Sequence, residues 1–453
     1  MIHLSVKQNP TILCVNPWIH DFAAYDFWSK PLGLLSLAGI LKAHGCHVSY
    51  IDCTDRYHPR AMPVTDPPAR FGRGPYRKTR INKPDVLSRI PRHYCRYGID
   101  PQWFVDDLRA LPAAPDLILV TSIMTYWYPG VYETINMLKQ VFPRVPVALG
   151  GLYARLCPEH AEKNSPADLV AADISGLDIL NLVEENTDTV IPPRFDPDNP
   201  DDRPFSALEL QHRINYVPLL TSTGCPFHCP YCASSFLNPT MTRRSPASVV
   251  DEIEYWHDTT GVKDFVFYDD ALLIHAETHA IPIFEALIAK KQPLRFHTPN
   301  AMHVREIKDQ TATLMYRAGF ETVRLGLETA DFTNRIEFDA KVTREEFDRA
   351  VACLKSAGFS SKQIGAYLLV GLPGQSDSAV ENSIKAVIKN GVTPIPTYYT
   401  PIPHTAMWPA AIEASPLDLE SEPLLTNNAI MPCMGNGFSW ELITRLRRLA
   451  KLE

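Results

Sequence analysis

Two α/β units in tandem are the architecture this sequence predicts: an N-terminal doubly wound parallel sheet, then a partial barrel of six β/α repeats. Three observations carry it. Short apolar runs alternate with helix-spaced stretches over the first part of the chain. Near Asp201 the alternation restarts and delivers six strand-and-helix pairs. The 40 prolines gather in segments between these elements, where they read as loops. The expected division is residues 1–195, 196–400 and a C-terminal extension 401–453.

In the first unit, Ile12–Val15, His47–Ile51, Leu117–Thr121, Val145–Leu149 and Leu169–Ala172 read as buried strands. Leu32–Ala43, Val131–Phe142 and a weaker run over Trp103–Leu111 have helical spacing. Ligands of such sheets sit outside the carboxyl ends of the strands, here the loops after Val15, Thr121 and Leu149. In the second unit the expected strands are Pro218–Thr221, Asp264–Tyr268, Leu294–His297, Thr322–Leu327, Gln363–Val370 and Thr393–Tyr398. Ser245-Pro246 caps the first helix, which buries Val249, Val250, Ile253 and Trp256. Six repeats rather than eight leave a barrel open on one side. A basic helix, Trp440–Lys451, is expected to cap that side.

Hydrophobic residues at 45%, charged residues at 21% and a net charge of −7 describe an ordinary globular protein whose surface as a whole does not call for nucleic acid or an anionic membrane. Ten cysteines without an apolar leader point to a reducing, cytoplasmic setting, and no stretch approaches the length of a membrane span. Between Asp55 and Gly98 the alternation breaks for an insertion rich in Arg, Lys and Pro, including Arg70, Arg73, Arg77, Lys78, Arg80, Lys83, Arg89, Arg92 and Arg96. It reads either as a solvated insertion or as a lobe for an acidic, phosphorylated or polynucleotide partner.

The most informative run is Thr-Ser-Thr-Gly-Cys-Pro-Phe-His-Cys-Pro-Tyr-Cys, with Cys225, Cys229 and Cys232 in CxxxCxxC spacing. Three thiolates on a four-iron cubane leave one iron open. A zinc site would need a fourth ligand at short range, and His228, its nearest candidate, lies inside the loop that must wrap the metal.

The cysteine run, with Tyr231 before its last cysteine, resembles the signature of the radical S-adenosylmethionine (SAM) enzymes. The resemblance covers roughly Tyr216 to Thr400 and implies a partial barrel, a 4Fe-4S cluster held by Cys225, Cys229 and Cys232, and SAM on the open iron. It also implies cleavage of SAM to methionine and a 5′-deoxyadenosyl radical, with the electron supplied by an external donor of flavodoxin or ferredoxin type. Carried over to the strand ends of this chain, Asp269 or Asp270 would hold the methionyl ammonium, in place of the family's usual Gly-Gly-Glu. His297 and Asn300 would stand near the ribose, Arg324 would pair with the SAM carboxylate, Glu328 would bind the ribose or orient Arg324, and Gly371 and Gly374 would admit the adenine. Strand alternation places Arg324, Gly326 and Glu328 on one face.

Asn16-Pro17, Pro31-Leu32-Gly33-Leu34-Leu35 and Gly150-Gly151-Leu152-Tyr153 resemble the cobalamin-binding domain that precedes the barrel in many radical SAM enzymes. The resemblance implies that Gly150 and Gly151 let a flat macrocycle approach the backbone and that Tyr126 presses on its face. The histidine motif DxHxxG is absent; Ile19-His20-Asp21 has the order reversed. Cobalamin beside the cluster would add a methyl donor, so the leading reading is a cobalamin-dependent radical SAM methyltransferase acting on a small-molecule, lipid or peptide substrate. The alternatives are a rearrangement, cyclisation or carbon-sulfur bond formation, and an RNA-modifying enzyme recruited by the insertion. Cys157 and Cys433 read as buried structural thiols, with Cys433 the one able to reach a substrate, while Cys95 within the insertion is a thiol with no assigned purpose.

Overall fold

The structure is a computed structural model and describes residues 9–63, 67, 70–174, 176–332, 342–434 and 439–451. It divides into two compact units, one of residues to Ile214 together with Ser421–Leu425, the other of Asn215–Glu420 with residues from Thr426 onward. The boundary expected after residue 195 therefore falls later. Phe205 to Leu210 packs on the helix Leu32–Ala43, with the Ala207 N–H donating to Leu35 O at 2.9 Å, and this holds the segment in the first unit. The extension from 401 is not a separate domain but is shared between the two units. Among the described residues no helix is long and apolar enough to cross a membrane.

In the first unit the strands are β1 (Thr11–Asn16), β2 (Ile19–Asp21), β3 (His47–Asp52), β4 (Lys78–Arg80), β5 (Cys95–Tyr97), β6 (Leu117–Val120), β7 (Val147–Leu149) and β8 (Leu169–Val170). Five of them form a parallel sheet in the order β3-β1-β6-β7-β8. Period-2 alternation supplies two cores. Leu13, Val15, Ile118 and Val120 face the helices Pro101–Arg109 and Tyr128–Val141. Ile12, Cys14, Leu117 and Leu119 face Leu32–Ala43 and Asp178–Thr187, the last a helix that its polar sequence concealed. Both faces are covered, as the doubly wound reading requires. Strand order reverses between β1 and β6, and the carboxyl ends of those two strands are where a ligand crevice belongs.

The insertion contributes β4 and β5, which join β2 in a small antiparallel sheet, β2-β5-β4, that the sequence did not suggest. Several of its basic residues are engaged inside the unit, while Arg70, Lys78, Arg80 and Arg89 are exposed. Arg73 lies over Trp28 at 4.4 Å, Arg77 over Trp103 at 5.0 Å and Arg92 over Phe22 at 5.4 Å, while Arg96 lies over Trp18 and bonds Glu133 at 2.6 Å. Lys83 donates to the Ser88 and Ile90 carbonyls. Cys95 is buried in the core of this small sheet.

The second unit contains β9 (Val217–Leu219), β10 (Ser222–Thr223), β11 (Thr242–Arg243), β12 (Asp264–Phe267), β13 (Arg295–His297), β14 (Phe320–Glu328), β15 (Ile364–Val370) and β16 (Thr393–Tyr398). All six expected strands lie side by side and parallel, in the chain order β9-β12-β13-β14-β15-β16. Helices bridge successive strands, and their ends follow from sequence. Ser245 caps Pro246–Thr260 by accepting from the Ser248 N–H, Thr343 and Glu346 form a capping box on Arg344–Ala357, and Gly261, Gly319 and Gly358 close helices in the left-handed conformation. Phe265, Phe267, Phe296 and Phe320 pack with Phe284 of the helix Ala280–Lys290. The basic C-terminal helix Trp440–Leu449 lies on the helix Asp377–Lys389 instead of capping an open side. It buries Leu442, Ile443 and Leu446, and Arg445 pairs with Asp377 and Glu381. Cys433 is buried, 3.7 Å from Ala411 O, and burial pushes its thiol up to about 12, so it serves packing; Gly435 to Gly437 beside it lie outside the described residues.

Gly39 tests this packing, because a Cβ there would collide with the Phe205 carbonyl, whereas one at Gly33 of the same helix meets open space. Gly39→Ala should cost about 1–3 kcal/mol through backbone displacement. Gly33→Ala should be neutral or stabilising by up to ~1 kcal/mol. Thermal midpoints of the two variants check both, and equal midpoints would contradict the contact.

Candidate active site

β9 is a three-residue edge strand, yet it leads into the loop that carries all three clustered cysteines. Two devices fix that loop. At its base β10 and β11 pair antiparallel, and the hydroxyls of Thr223 and Thr242 meet at 2.7 Å. Gly224 has φ +79°, and a Cβ there would come within 2.8 Å of Thr240 O, so the returning chain can lie against it only because the side chain is absent. The second device is a buried carboxylate, Asp269, just past the end of β12. It accepts from the Thr221 hydroxyl at 2.6 Å, the Ser222 hydroxyl at 2.6 Å and the Thr221 N–H at 3.3 Å. His279 lies 2.8 Å from the same Thr221 oxygen through Nε2. Since Thr221 gives its proton to Asp269, His279 must donate, giving a relay from His279 through Thr221 to Asp269. Burial raises the Asp269 carboxyl above its ordinary range and pushes His279 down to about 4, which keeps the imidazole neutral in that relay.

Within the loop the Cys232 N–H donates to Cys229 O at 3.0 Å, and the Ser234 N–H approaches Cys232 Sγ at 3.4 Å. The Met407 N–H donates to Pro230 O at 2.8 Å, so the chain beyond β16 braces the loop from outside. Cys225, Cys229 and Tyr231 are half-buried, Cys232 is exposed, and no disulfide joins any of the ten cysteines, all of them among the described residues. His303, which carries no motif in the sequence, brings Nε2 to 3.5 Å from Cys225 Sγ. His228 of the zinc alternative is exposed.

Residues 219–387 match the family model of the radical SAM superfamily. Residues 219–387 belong to that superfamily. The chain is 27% identical over 327 residues to an uncharacterized methyltransferase, PH0819, of Pyrococcus horikoshii, covering 66% of this chain and 70% of that protein. It is 21% identical over 437 residues to the cytidylyl-2-hydroxyethylphosphonate methyltransferase of Streptomyces wedmorensis, covering 83% and 75%. The radical SAM methyltransferase TsrM of Kitasatospora setae, solved with tryptophan and a SAM analogue, superposes with a TM-score of 0.63 over 89% of this chain and 76% of that one, at 17% identity. At that identity the likeness speaks for the fold, and it spans both units.

The chain thus carries a radical SAM domain, and the cofactors that such a domain uses are a 4Fe-4S cluster and SAM. As radical SAM chemistry requires, an external electron donor supplies it. The donor set fits the cluster: three thiols on one braced loop, with the Ser234 N–H directed at Cys232 and His303 Nε2 3.5 Å from Cys225 Sγ. Among the described residues no three His, Cys, Asp or Glu side chains converge as ligands of one ion would. A cubane spreads three thiolates over three irons and does not ask for such convergence.

The residues expected to hold SAM separate into two groups. Asp270 bonds the Ser234 hydroxyl two residues beyond Cys232 and so stands at the cluster loop, whereas Asp269 is consumed by the relay. Asn300 is exposed at the strand ends and donates to Tyr268 O at 2.6 Å. Gly371 and Gly374 have φ of +88° and +71°, and the Gln375 side chain closes their turn by accepting from the Gly371 N–H. Glu328 ends β14 with φ +63°, a conformation rarely tolerated outside glycine and often found at functional sites.

Three expectations are corrected. His297 is not among ribose partners, since it is fully buried with Nε2 3.1 Å from Asp264 and Nδ1 3.2 Å from Thr322. Burial pushes the Asp264 carboxyl up, but bonds from His297 and Arg295 outweigh it and leave it below the ordinary range, the mark of an internal ion cluster. Arg324 donates to the carbonyls of Val323 and Gln363, both at 3.1 Å, so its guanidinium leans toward the start of β15 and away from the carboxyl ends. Arg324 and Glu328 do not share a face by simple alternation, because the register shifts between Gly326 and Glu328.

In the first unit a small cavity sits at the reversal point, lined by Asn16, Trp18, Ser29, Thr54, Tyr76 and Trp127 among others. Tyr126 is buried, and its neighbour Trp127 faces the cavity instead, its Nε1 held by Asp21 at 2.7 Å. Gly151 has φ +89°, and a Cβ there would collide with the Ser122 backbone; its freedom serves the joint between the loops after β6 and β7, which the Ser122 hydroxyl completes by donating to Gly150 O. His20 is buried in β2 with Nε2 2.7 Å from Glu133, and is not a metal ligand from below. Cys157 is half-buried, and burial pushes it up to about 12.

Replacing Cys225, Cys229 and Cys232 together by Ala should abolish the visible absorbance of the anaerobically reconstituted protein and all 5′-deoxyadenosine formation; iron retained at the wild-type level would refute the assignment. Thr221→Val strands the Asp269 carboxylate and His279, and should cost about 1–3 kcal/mol and lower cluster loading, while Thr221→Ser should be close to wild type. Iron content and thermal midpoint measured side by side test this.

Proposed function

We propose that the protein is a radical SAM methyltransferase that binds cobalamin in its first unit and methylates an unactivated carbon. The observation that carries the reading is the reversal of strand order between β1 and β6 in a doubly wound sheet, whose loops at the carboxyl ends are the place for a large ligand, in a chain that also bears the cysteine loop. Support comes from relatives in the methyltransferase class and from TsrM, which has been solved with cobalamin and a 4Fe-4S cluster bound. When bound, the cluster supplies one electron for cleaving SAM, and cobalamin supplies a methyl donor. The protein's own part is binding, orientation and the exclusion of water.

For SAM, Asp270 would accept the methionyl ammonium and Glu328 a ribose hydroxyl, while the Gly371–Gly374 turn would leave room for the adenine. For cobalamin, the loops after β1, β6 and β7 would hold the macrocycle, with Trp127 and the exposed Gly150–Gly151 backbone toward it and no histidine from the Ile19–Asp21 segment. Arg73, Arg92 and Arg96 are engaged within their own unit, which takes part of the insertion's charge away from an RNA partner, while Arg70, Lys78, Arg80 and Arg89 stay exposed. Ten cysteines without a disulfide fit a cytoplasmic enzyme.

The test is anaerobic reconstitution with iron, sulfide and hydroxocobalamin, followed by gel filtration and a corrinoid count. Stoichiometric retention, lost on replacing Trp127 by Ala with the cluster intact, is expected. A cluster that cleaves SAM in a protein retaining no corrinoid would overturn the cobalamin reading and favour rearrangement chemistry.

A further inference from the structure

We propose that His303 is a positioning residue of the cluster, donating a hydrogen bond from Nε2 to the Cys225 thiolate and thereby raising the cluster's reduction potential. The inference rests on the cluster assignment to Cys225, Cys229 and Cys232 and adds to it a residue that no motif marks.

The geometry starts from the backbone. Met302 forms an isolated parallel bridge with Leu325: its N–H donates to Arg324 O at 2.7 Å, and its carbonyl accepts from the Gly326 N–H at 3.0 Å. The residue before His303 is thus a rung on β14, the longest strand of the sheet. On the other side the chain enters a short 3-10 turn, Val304–Glu306, closed by the Glu306 N–H on His303 O at 3.0 Å and anchored by fully buried Val304 and Ile307. His303 is therefore held at both ends and is only 5% exposed. Its ring packs against Phe227, two residues past Cys225, with centroids 4.4 Å apart and planes at 45°. That contact fixes the ring's tilt and leaves Nε2 at 3.5 Å from Cys225 Sγ.

The direction of the bond follows from chemistry. A thiolate bound to iron is an acceptor only, so the proton of this contact belongs to the histidine. Cys232 receives the Ser234 N–H at 3.4 Å, a second donor to a cluster thiolate. The two donors differ in kind. The backbone N–H survives any side-chain change, whereas the His303 donor can be removed by one. Hydrogen bonds to cluster sulfurs stabilise the electron-rich, reduced state, and they act most strongly where water is excluded. The more exposed Cys232 has the backbone donor, and half-buried Cys225 has the histidine, in the drier surroundings where such a bond is worth more.

The experiment compares wild type, His303→Phe and His303→Gln after anaerobic reconstitution, reading iron and sulfide content and then the midpoint potential of the reduced-cluster resonance signal. His303→Phe should hold a full cluster at a more negative potential, and His303→Gln, whose amide can donate, should fall between it and wild type. A full cluster in His303→Phe at the wild-type potential overturns the proposal. Should His303→Phe load poorly, wild-type protein labelled with 15N-histidine decides by pulsed resonance of the reduced cluster. A weak histidine-nitrogen coupling, lost in His303→Gln, supports the donor. No coupling, or one as large as that of a direct iron ligand, overturns it. Failure of wild type itself to form a cluster would instead refute the cysteine assignment, so the two failures are distinguishable.

Discussion

The second unit depends on one buried carboxylate. β9 is the edge of its sheet, three residues long, with a single neighbour, and it must present a loop bearing every cluster thiol. An edge strand that short cannot fix the loop through its own ladder. Asp269 supplies the missing constraint by taking the Thr221 hydroxyl and N–H and the Ser222 hydroxyl. The burial of a carboxylate, costly when it stands alone, is offset because three donors surround it. His279, the residue before the helix Ala280–Lys290, extends the same network into the next helix, so strand exit, loop base and helix start move as one piece.

Much of this was legible because the relevant signals are local. The helix Leu32–Ala43 has the bounds its apolar spacing implies, Ser245-Pro246 caps where a cap and a first-turn proline belong, and the six barrel strands are short β-branched or aromatic runs bounded by polar turns. The cysteine spacing carried its own chemistry. What escaped was set by partners distant in sequence. His297 ends its strand, which placed it among cofactor ligands, but Asp264, 33 residues earlier, faces it across the sheet and claims it. The register shift after Gly326 arises from pairing with β15, so counting by two from Arg324 misplaced Glu328. Nothing in Met302-His303-Val304 signals a cluster neighbour, because its meeting with Cys225 spans 78 residues and depends on the bridge to β14.

The insertion illustrates the same division. Its charge was visible and its use was not, since stacking on Trp28, Trp103 and Phe22 requires aromatics from other segments. Arg56, outside the obvious cluster, is among the most buried charges of the unit and bonds Gly72 O at 2.8 Å, tying the insertion back on itself. The small sheet β2-β5-β4 shows none of the alternation that marks strands, because its residues gain order from each other and from Trp127 on Asp21.

The account holds that Cys225, Cys229 and Cys232 ligate three irons and leave the fourth for SAM. Mössbauer spectroscopy of protein reconstituted with 57Fe, recorded with and without SAM, tests this most directly. One of the four irons should change its isomer shift when SAM is added while the other three keep theirs. Four irons unaffected by saturating SAM, or a spectrum without a four-iron cluster, would contradict it.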